Sequence, residues 1–324
     1  MTKENFKELT NREWISKIVR MRLNGEDFNS SQNADGWNIL MCATQYADYK
    51  IMEQVLNIKD NKGKRCININ AKDNNGNTAL SLAANMNNDK KIMLLLKNGA
   101  DVSLVRMKVS KKMWAKLIRF YQQIDEANHD FLNTIFEKNV LKVKYMLENS
   151  PVDVNKKVIV NRNAVDIEFL PLAYAASKGY NEIVELILKH PNTDINMECN
   201  GGLTALGFAT GKGHIEIVEM LLKCPWIEVN TQDPKGNTPL IYAAQQGFNK
   251  IVELLLKCPD ININLQDDKG HSAFMWAVHN DHEEVIRLLY DHPNLDINLQ
   301  DYNGFSILMN TIHTGNEKLT KLLL

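Results

Sequence analysis

One pattern of residues recurs at a fixed interval in the C-terminal half of the chain. The run Gly236-Asn-Thr-Pro-Leu240 is followed by the small pair Ala243-Ala244 and then by Gly247. Related runs begin at Gly202 and Gly270, at equal distances on either side of Gly236. A fixed period between about 20 and 50 residues predicts a stack of similar supersecondary units, each burying its apolar face against its neighbours. The chain must therefore be interpreted as repeats before any residue is given a chemical role.

Each copy of the pattern predicts two helices joined by a turn. Thr238 is a favourable N-cap, and Pro239 is tolerated at the first helical position. Gly247 supplies the left-handed conformation that often ends a helix. A second, amphipathic helix is predicted over residues 250–257. The polar run over residues 261–270 then predicts an extended return and a turn, so that each unit is helix, turn, helix and protruding finger.

These residues resemble the ankyrin repeat, and the run from Gly213-His-Ile-Glu-Ile-Val to Leu222 is close to that family's consensus. The resemblance implies an all-α fold, an ankyrin-repeat solenoid of stacked helix-turn-helix units with protruding β-hairpin or finger loops. With the Leu at the start of each first helix as a landmark, repeats are expected at Leu40, Leu80, Leu132, Leu172, Leu206, Leu240, Phe274 and Leu308. The last four intervals are equal and the three earlier ones are longer, so the N-terminal half carries insertions.

The spacing divides the chain into five expected segments. They are an N-terminal capping helix in 1–32, ankyrin units in 33–104, an inserted basic amphipathic helix in 105–125, a degenerate unit with a lengthened finger in 126–164, and regular, equally spaced ankyrin units in 165–324, the last one incomplete. The capping helix is predicted from Thr10-Asn-Arg-Glu13, which has the pattern of a capping box.

The insertion at 105–125 predicts a helix with an apolar face and a basic face. The apolar residues share one half of a helical wheel: Met113, Trp114, Leu117, Ile118, Phe120, Tyr121 and Ile124. The other half carries the cations Lys108, Lys111, Lys112, Lys116 and Arg119, and no acidic residue occurs from 102 to 124. Such a helix can bind calmodulin, an anionic membrane or phosphate groups. We favour the alternative, in which the apolar face packs on the repeats, because it would otherwise be exposed.

Composition excludes few classes of protein. The chain has 324 residues and a formal net charge of −1, which gives no bias toward nucleic acid. No apolar run approaches the ~20 residues of a membrane span. Five cysteines without Cys-x-x-Cys spacing predict reduced thiols: Cys42, Cys66, Cys199, Cys224 and Cys258. Asparagine and lysine are abundant, which is consistent with an AT-rich gene. We expect a monomer in the cytoplasm, with the nucleus or a host-cell cytosol as alternatives.

No motif predicts catalysis, a metal site or a cofactor. His214 and Glu216 with Cys224-Pro225 are superficially similar to the zinc deaminase signature, but the Cys-Pro order is reversed. The run His282-Glu283-Glu284 lacks the second histidine of a zincin helix. Gly211-Lys-Gly213 lacks the spacing of a phosphate loop, and no nucleophile elbow is present. His214 is instead expected to be a helix-end residue of its repeat.

The resemblance also implies where a partner binds. In ankyrin proteins the concave side, formed by finger tips and the exposed ends of first helices, usually receives a protein partner. Carried over by position, the candidate contact residues are Trp37, Tyr46, Phe169, Lys178, Lys212, Gln245, Gln246, His271, His279, Asn280, Phe305 and His313. Trp37, Phe169 and Phe305 are the sharper candidates, because aromatic residues are enriched at binding hot spots. The alternative for these three is packing on the adjacent finger.

A further aromatic row lies two residues after successive landmarks, at Tyr174, Phe208, Tyr242 and Trp276. Helical geometry and the family pattern predict that this row lines the core between first helices.

Together these features predict a non-enzymatic protein-interaction module or scaffold that presents a curved surface to protein partners. One alternative is that the chain is the binding portion of a larger protein or of a secreted effector whose activity lies outside it. Another is that the basic helix over residues 108–124 is a lipid or calmodulin site.

Overall fold

The structure is a computed structural model that describes residues 9–24, 26–30, 34–59, 66–105, 107–162, 165–199, 201–314 and 320. The described residues are mostly helical, with short helices in consecutive pairs as the repeat period predicts. They divide into two compact units, which we call the N-terminal lobe (Met1–Val154) and the C-terminal lobe (Asn155–Leu324).

The N-terminal lobe opens with the predicted capping helix and continues through repeats. Its helices are α1 (Asn11–Leu23), α2 (Ile39–Tyr46), α3 (Tyr49–Leu56), α4 (Ala79–Asn85), α5 (Asp89–Lys97), α6 (Lys111–Phe136) and α7 (Val140–Asn149). The capping box is formed, with Glu13 Oε2 accepting from the Thr10 backbone N–H at 2.7 Å. The first helices α2 and α4 pack together, and so do the second helices α3 and α5. A short 3-10 helix, Val102–Val105, precedes α6.

Helix α6 is one continuous helix where the sequence predicts two separate helices. An inserted helix in 105–125 and a separate first helix near Leu132 were expected, but one helix of 26 residues runs from Lys111 to Phe136. Ser110 begins it, since its hydroxyl accepts from the Met113 backbone N–H at 3.2 Å. No glycine or proline lies between Ser110 and Phe136 to end the helix earlier. The basic insertion is therefore continuous with the first helix of the following repeat.

The apolar face of α6 packs on the core of the N-terminal lobe. Leu117 is fully buried and Ile124 nearly so, while Trp114 and Phe120 pack against the same core at partial burial. This agrees with the interpretation in which the apolar face covers the repeats. Tyr121 lies at the edge of that face and is partly exposed.

The C-terminal lobe begins with an antiparallel hairpin and continues as paired helices. Strands β1 (Val158–Arg162) and β2 (Val165–Phe169) pair with Val158 opposite Phe169, where a lengthened finger is expected. The helices are α8 (Pro171–Lys178), α9 (Asn181–Lys189), α10 (Ala205–Gly211), α11 (Ile215–Leu222), α12 (Pro239–Gln246), α13 (Asn249–Leu256), α14 (Ala273–His279), α15 (Glu283–Tyr290) and α16 (Ile307–Thr314). First helices contact first helices in series, and second helices contact second helices. The expected incomplete second helix after α16 lies mainly outside the described residues.

The helix ends follow the sequence signals. The Thr238 hydroxyl accepts from the Ile241 backbone N–H at 3.1 Å, and Gly247 ends α12 with φ of 69°. His214 stands at the start of α11, with Nε2 at 3.3 Å from the carbonyl oxygen of Ser177 at the end of α8. His214 is therefore a helix-end residue that joins neighbouring repeats, as predicted.

Candidate partner-binding surface

The fingers of the C-terminal lobe and the exposed sides of its first helices form one surface, which we call the inner surface. Two sets of residues recur on it. The aromatic row, two positions after each landmark, is Tyr174, Phe208, Tyr242 and Trp276. The polar row, six positions after each landmark, is Lys178, Lys212, Gln246 and Asn280. Residues four apart lie side by side on a helix, so the two rows are adjacent.

The prediction that the aromatic row lines the core is wrong, because each of its four side chains is only half-buried. The buried side of each first helix is instead filled by small and aliphatic residues such as Leu240, Ala243 and Ala244. The rings therefore lie at the boundary between core and solvent, where part of each can contact a partner.

Three fingers of the C-terminal lobe are each built around one aspartate. The Oδ1 atoms of Asp233, Asp267 and Asp301 accept from the backbone N–H groups two and four residues further on, at 2.8–2.9 Å. Asp73 does the same in the N-terminal lobe. A short carboxylate that bonds the backbone just after itself is what closes a turn of this kind. These aspartates therefore fix the conformation of the finger tips.

The second carboxylate oxygen holds an aromatic side chain. The Tyr242 hydroxyl donates to Asp233 Oδ2 at 2.6 Å, and Trp276 Nε1 donates to Asp267 Oδ2 at 2.8 Å. Burial, and then the hydrogen bond to Asp233, raises the pKa of Tyr242. Burial alone would raise the pKa of Asp233, but hydrogen bonds from Tyr242 and Asn237 outweigh it and lower that pKa. These bonds fix Tyr242 and Trp276, two of the four rings of the aromatic row, against their fingers.

The candidate residues on the first helices lie where they can meet a partner. Lys178, Lys212, Gln246, His279 and Asn280 are exposed. Lys178 Nζ lies 5.6 Å from the centre of the Tyr174 ring, and the His279 ring stands edge-on to Trp276 at 5.7 Å. The Asn280 side-chain amide donates to the carbonyl oxygen of Gln245 at 2.9 Å.

Gln245 differs from its neighbours in that it is half-buried, and Nε2 donates to Asn237 Oδ1 at 3.2 Å. It supports the surface more than it extends from it.

The candidate residues on the fingers differ in how much of each side chain is already in contact with neighbouring residues. Phe169 packs edge-to-face on Tyr174 at 5.3 Å between ring centres, and Phe305 is 46% exposed. His271 stands edge-on to Trp276 at 5.1 Å, with Nε2 at 3.7 Å from Asp301 Oδ2. The side chain of His313, within α16, lies outside the described residues.

Trp37 and Tyr46 belong to the N-terminal lobe and contact each other. Their ring centres are 6.0 Å apart, and Trp37 Nε1 donates to Asp73 Oδ2 at 3.0 Å. Trp37 is half-buried and Tyr46 is 39% exposed. The aromatic-to-aspartate contact of the C-terminal lobe thus recurs here, although a tryptophan in the preceding finger supplies the donor.

The cations of the α6 region are not all available to a ligand. Lys108 Nζ donates to the Asn75 carbonyl oxygen at 2.7 Å, and Lys116 pairs with Asp89 at 2.5 Å. The remaining three, Lys111, Lys112 and Arg119, are exposed. Because the apolar face of α6 packs on the core, a calmodulin-type complex that encloses this helix would require α6 to leave the lobe.

The finger aspartates are the site residues that the sequence reasoning missed. Asp73, Asp233, Asp267 and Asp301 each lie seven positions before a landmark, so the repeat period already marks three of them. Cys199 occupies the corresponding place in the repeat of Leu206, which explains why the pattern looks broken there. The sequence signal that could have identified these aspartates is an acidic residue at the same position in successive repeats.

Comparison with known proteins agrees with the architecture. The model of the family described as ankyrin repeats matches the chain in three copies, over residues 12–106, 172–267 and 259–324, which is most of its length. The matches are to ankyrin repeats alone, and none is to a catalytic domain. No curated protein sequence matches the chain. None of the helices in the described part of the chain has both the length and the apolar character needed to cross a bilayer. Since the repeats account for most of the sequence and for the helix pairs, the chain belongs to the ankyrin-repeat family.

Proposed function

We propose that the chain is a non-enzymatic protein-interaction module or scaffold whose C-terminal lobe binds a protein partner on the inner surface. Ankyrin repeats are in general protein-protein interaction modules, and the proposal assigns that role to particular residues of this chain. The observation that carries it is the half-buried aromatic row, in which Tyr242 and Trp276 are fixed by finger aspartates, flanked by the exposed polar row.

The physical case rests on composition and rigidity. Aromatic side chains provide much of the binding energy at protein interfaces, and a polar rim around them is typical of complexes that form and dissociate. Tyr242 and Trp276 are already fixed by hydrogen bonds to Asp233 and Asp267, so they lose little conformational entropy when a partner binds. Repeats stacked at helix-packing distances of about 8–10 Å extend this arrangement into a continuous surface.

In this proposal the protein acts as a monomer, without cofactor or nucleic acid. The polar atoms of Tyr242, Trp276 and the finger aspartates serve structural hydrogen bonds, so the inner surface offers shape and contacts. The second candidate is that the same surface is the binding portion of a larger protein or effector, whose activity lies outside these residues.

The test is quantitative capture from cytosolic extract by the full chain. The inner-surface variant carries Lys178→Ala, Lys212→Ala and Gln246→Ala. The matched control carries Lys189→Ala, Lys223→Ala and Asn249→Ala, which remove the same chemical groups from exposed positions on, or directly after, second helices. Circular dichroism must show equal helicity for all three proteins.

We expect at least one protein to be captured by wild type and control, and to fall by about tenfold or more with the inner-surface variant. Equal capture by both variants would reject the inner surface as the binding site.

A further inference from the structure

A groove lies among α3, α5 and α6 of the N-terminal lobe, and none of its lining residues belongs to a finger. It has a volume of about 760 Å³ and is lined by Asp48, Tyr49, Lys50, Asp89, Lys90, Met93, Leu94, Lys97 and Phe120. Helix α5 packs on both α3 and α6, so α5 forms the floor and the two flanking helices form the walls. The wall residue Phe120 belongs to the insertion, which the regular repeats lack. The insertion therefore gives this lobe a groove that the repeat pattern alone does not provide.

The floor of the groove is one stripe of α5. Lys90, Met93, Leu94 and Lys97 have the spacing i, i+3, i+4 and i+7, which places them on one face of the helix. At a rise of about 1.5 Å per residue, Lys90 and Lys97 stand roughly 10 Å apart along the axis. Two apolar side chains are thus bracketed by two ammonium groups. Leu94 is buried, Met93 is half-buried and Lys90 is exposed.

The walls add apolar area and a third lysine. Tyr49 is 36% exposed beside the exposed Lys50 at the start of α3, and the half-buried Phe120 faces them from α6. The ring of Phe120 also has Lys116 Nζ at 5.8 Å from its centre. Lysine stems can cover apolar surface while their ammonium groups reach water, as at the exposed Lys50 and Lys90, whereas Lys97 is half-buried. The rim is therefore cationic and the interior is apolar.

The acids near the groove are largely engaged. Asp48 accepts from the Ile51 backbone N–H at 2.9 Å and from Asn11 Nδ2 at 2.6 Å, and Asp89 pairs with Lys116 at 2.5 Å. Burial lowers the pKa of Lys97, and the negative charge of Glu53 partly opposes this effect. By contrast, none of the three rim lysines Lys50, Lys90 and Lys97 forms an ion pair with another described residue. The rim thus keeps cationic groups that a partner can pair.

We propose that this groove binds an amphipathic helix of a protein partner, in which acidic side chains two turns apart flank a pair of apolar residues. Such a helix places its apolar pair against the partly exposed Met93 and Phe120, above the buried Leu94, and its carboxylates beside Lys90 and Lys97. An apolar helical stripe lying in a groove is a recurrent mode of peptide recognition, and complementary charge at the rim sets its orientation. The site is separate from the inner surface, so each can be disabled alone.

The probe is a fluorescein-labelled, stapled helical peptide with Glu at positions i and i+7 and Leu at i+3 and i+4. Its binding to the full chain is measured by fluorescence anisotropy. The test variant is Lys90→Glu with Lys97→Glu, and the matched control is Lys144→Glu with Lys223→Glu, which reverses two exposed lysines outside the groove. A charge-swapped peptide with Lys at i and i+7 completes the set.

We expect wild type and control to bind the acidic peptide alike, within about twofold, because exposed charges elsewhere contribute little. The groove variant should bind it at least about tenfold more weakly. The charge-swapped peptide should prefer the groove variant to wild type, which a merely unfolded variant could not do. The proposal fails if wild type does not bind, if both variants bind alike, or if replacing the two Leu by Ala leaves binding unchanged.

Discussion

The side-chain amide of Asn264 donates to the backbone carbonyl oxygen of Asn294 at 2.7 Å, which joins two consecutive repeats. The same amide accepts, through Oδ1, from the Asp296 backbone N–H at 2.9 Å. Equivalent donations in the C-terminal lobe run from Asn155 to residue 192, from Asn196 to residue 226 and from Asn230 to residue 260. In the N-terminal lobe Asn29 forms the same pair of bonds with Cys66 and Asn68. A ladder of asparagines therefore connects successive repeats beyond their helices.

Replacing Asn264 by Ala should destabilise the C-terminal lobe by about 1–2 kcal/mol, because two partly exposed hydrogen bonds are lost. The measurement is urea unfolding followed by circular dichroism. Asn298→Ala is the matched control, since Asn298 is the equivalent residue of the next repeat. It is exposed and makes no side-chain hydrogen bond to another described residue. Its effect should stay within about 0.5 kcal/mol. Equal losses from the two substitutions would contradict a role for the ladder.

This ladder shows where the sequence was informative and where it was not. The fold could be predicted because period, caps and stops coincide, as at Thr238, Pro239 and Gly247. The abundance of asparagine is consistent with base composition, yet Asn196, Asn230 and Asn264 recur at the interval of the repeat itself. The overall asparagine content does not show this role. Only the recurrence of an asparagine at the same position of each repeat indicates that its amide contacts the next repeat.

The site was less predictable than the fold for a related reason. Tyr242 and Trp276 follow a pattern that suits the core, and only their partial burial and their bonds to Asp233 and Asp267 show that they lie at its edge. The sequence also does not predict the groove of the N-terminal lobe, because the groove depends on how α3, α5 and α6 pack. Periodicity assigns a residue to a face, whereas the depth of its burial depends on neighbours distant in sequence.

Gly270 and Gly304 allow a direct test of how tightly fingers stack. Both have φ of 82°, so Ala at either position carries the left-handed strain of about 1–2 kcal/mol. A Cβ on Gly270 would lie 2.6 Å from the backbone nitrogen of Tyr302, whereas none of the described residues comes within 4 Å of one on Gly304. Gly270→Ala should therefore cost about 1–3 kcal/mol more than Gly304→Ala in urea unfolding. Similar costs would show that the next finger is not packed against Gly270.

Cys42 and Cys199 should report unfolding of the two lobes separately. Cys42 is fully buried in the N-terminal lobe, and burial raises the pKa of its thiol to about 12. Since alkylation requires the thiolate, whose fraction falls tenfold per pKa unit, native Cys42 should react roughly a thousandfold more slowly than a free thiol. Burial likewise raises the pKa of Cys199 in the C-terminal lobe. Pulsed iodoacetamide labelling with peptide mass spectrometry across a urea series measures both.

The half-buried Cys224 is the internal comparison for this experiment, because it lies closer to solvent than Cys199 in the same lobe. Rapid native labelling of Cys42 would be incompatible with its burial.

The bond from Tyr242 to Asp233 should make part of the stability depend on pH. Because the pKa of Asp233 is lowered on folding, its contribution is fully present above the unfolded pKa of about 3.9 and is lost as pH falls through the folded value. Tyr242→Phe removes one donor at a half-exposed carboxylate, so we expect a loss of about 1 kcal/mol at pH 7. The loss should shrink as the pH falls from about 4 through the lowered folded pKa of Asp233, because protonation of the carboxylate removes the charge that the hydroxyl stabilises. Urea unfolding at a series of pH values measures this, with Tyr302→Phe as a control at an exposed tyrosine. A loss that stays constant from pH 7 to about pH 3 would show that the Tyr242 hydroxyl does not stabilise the ionised form of Asp233.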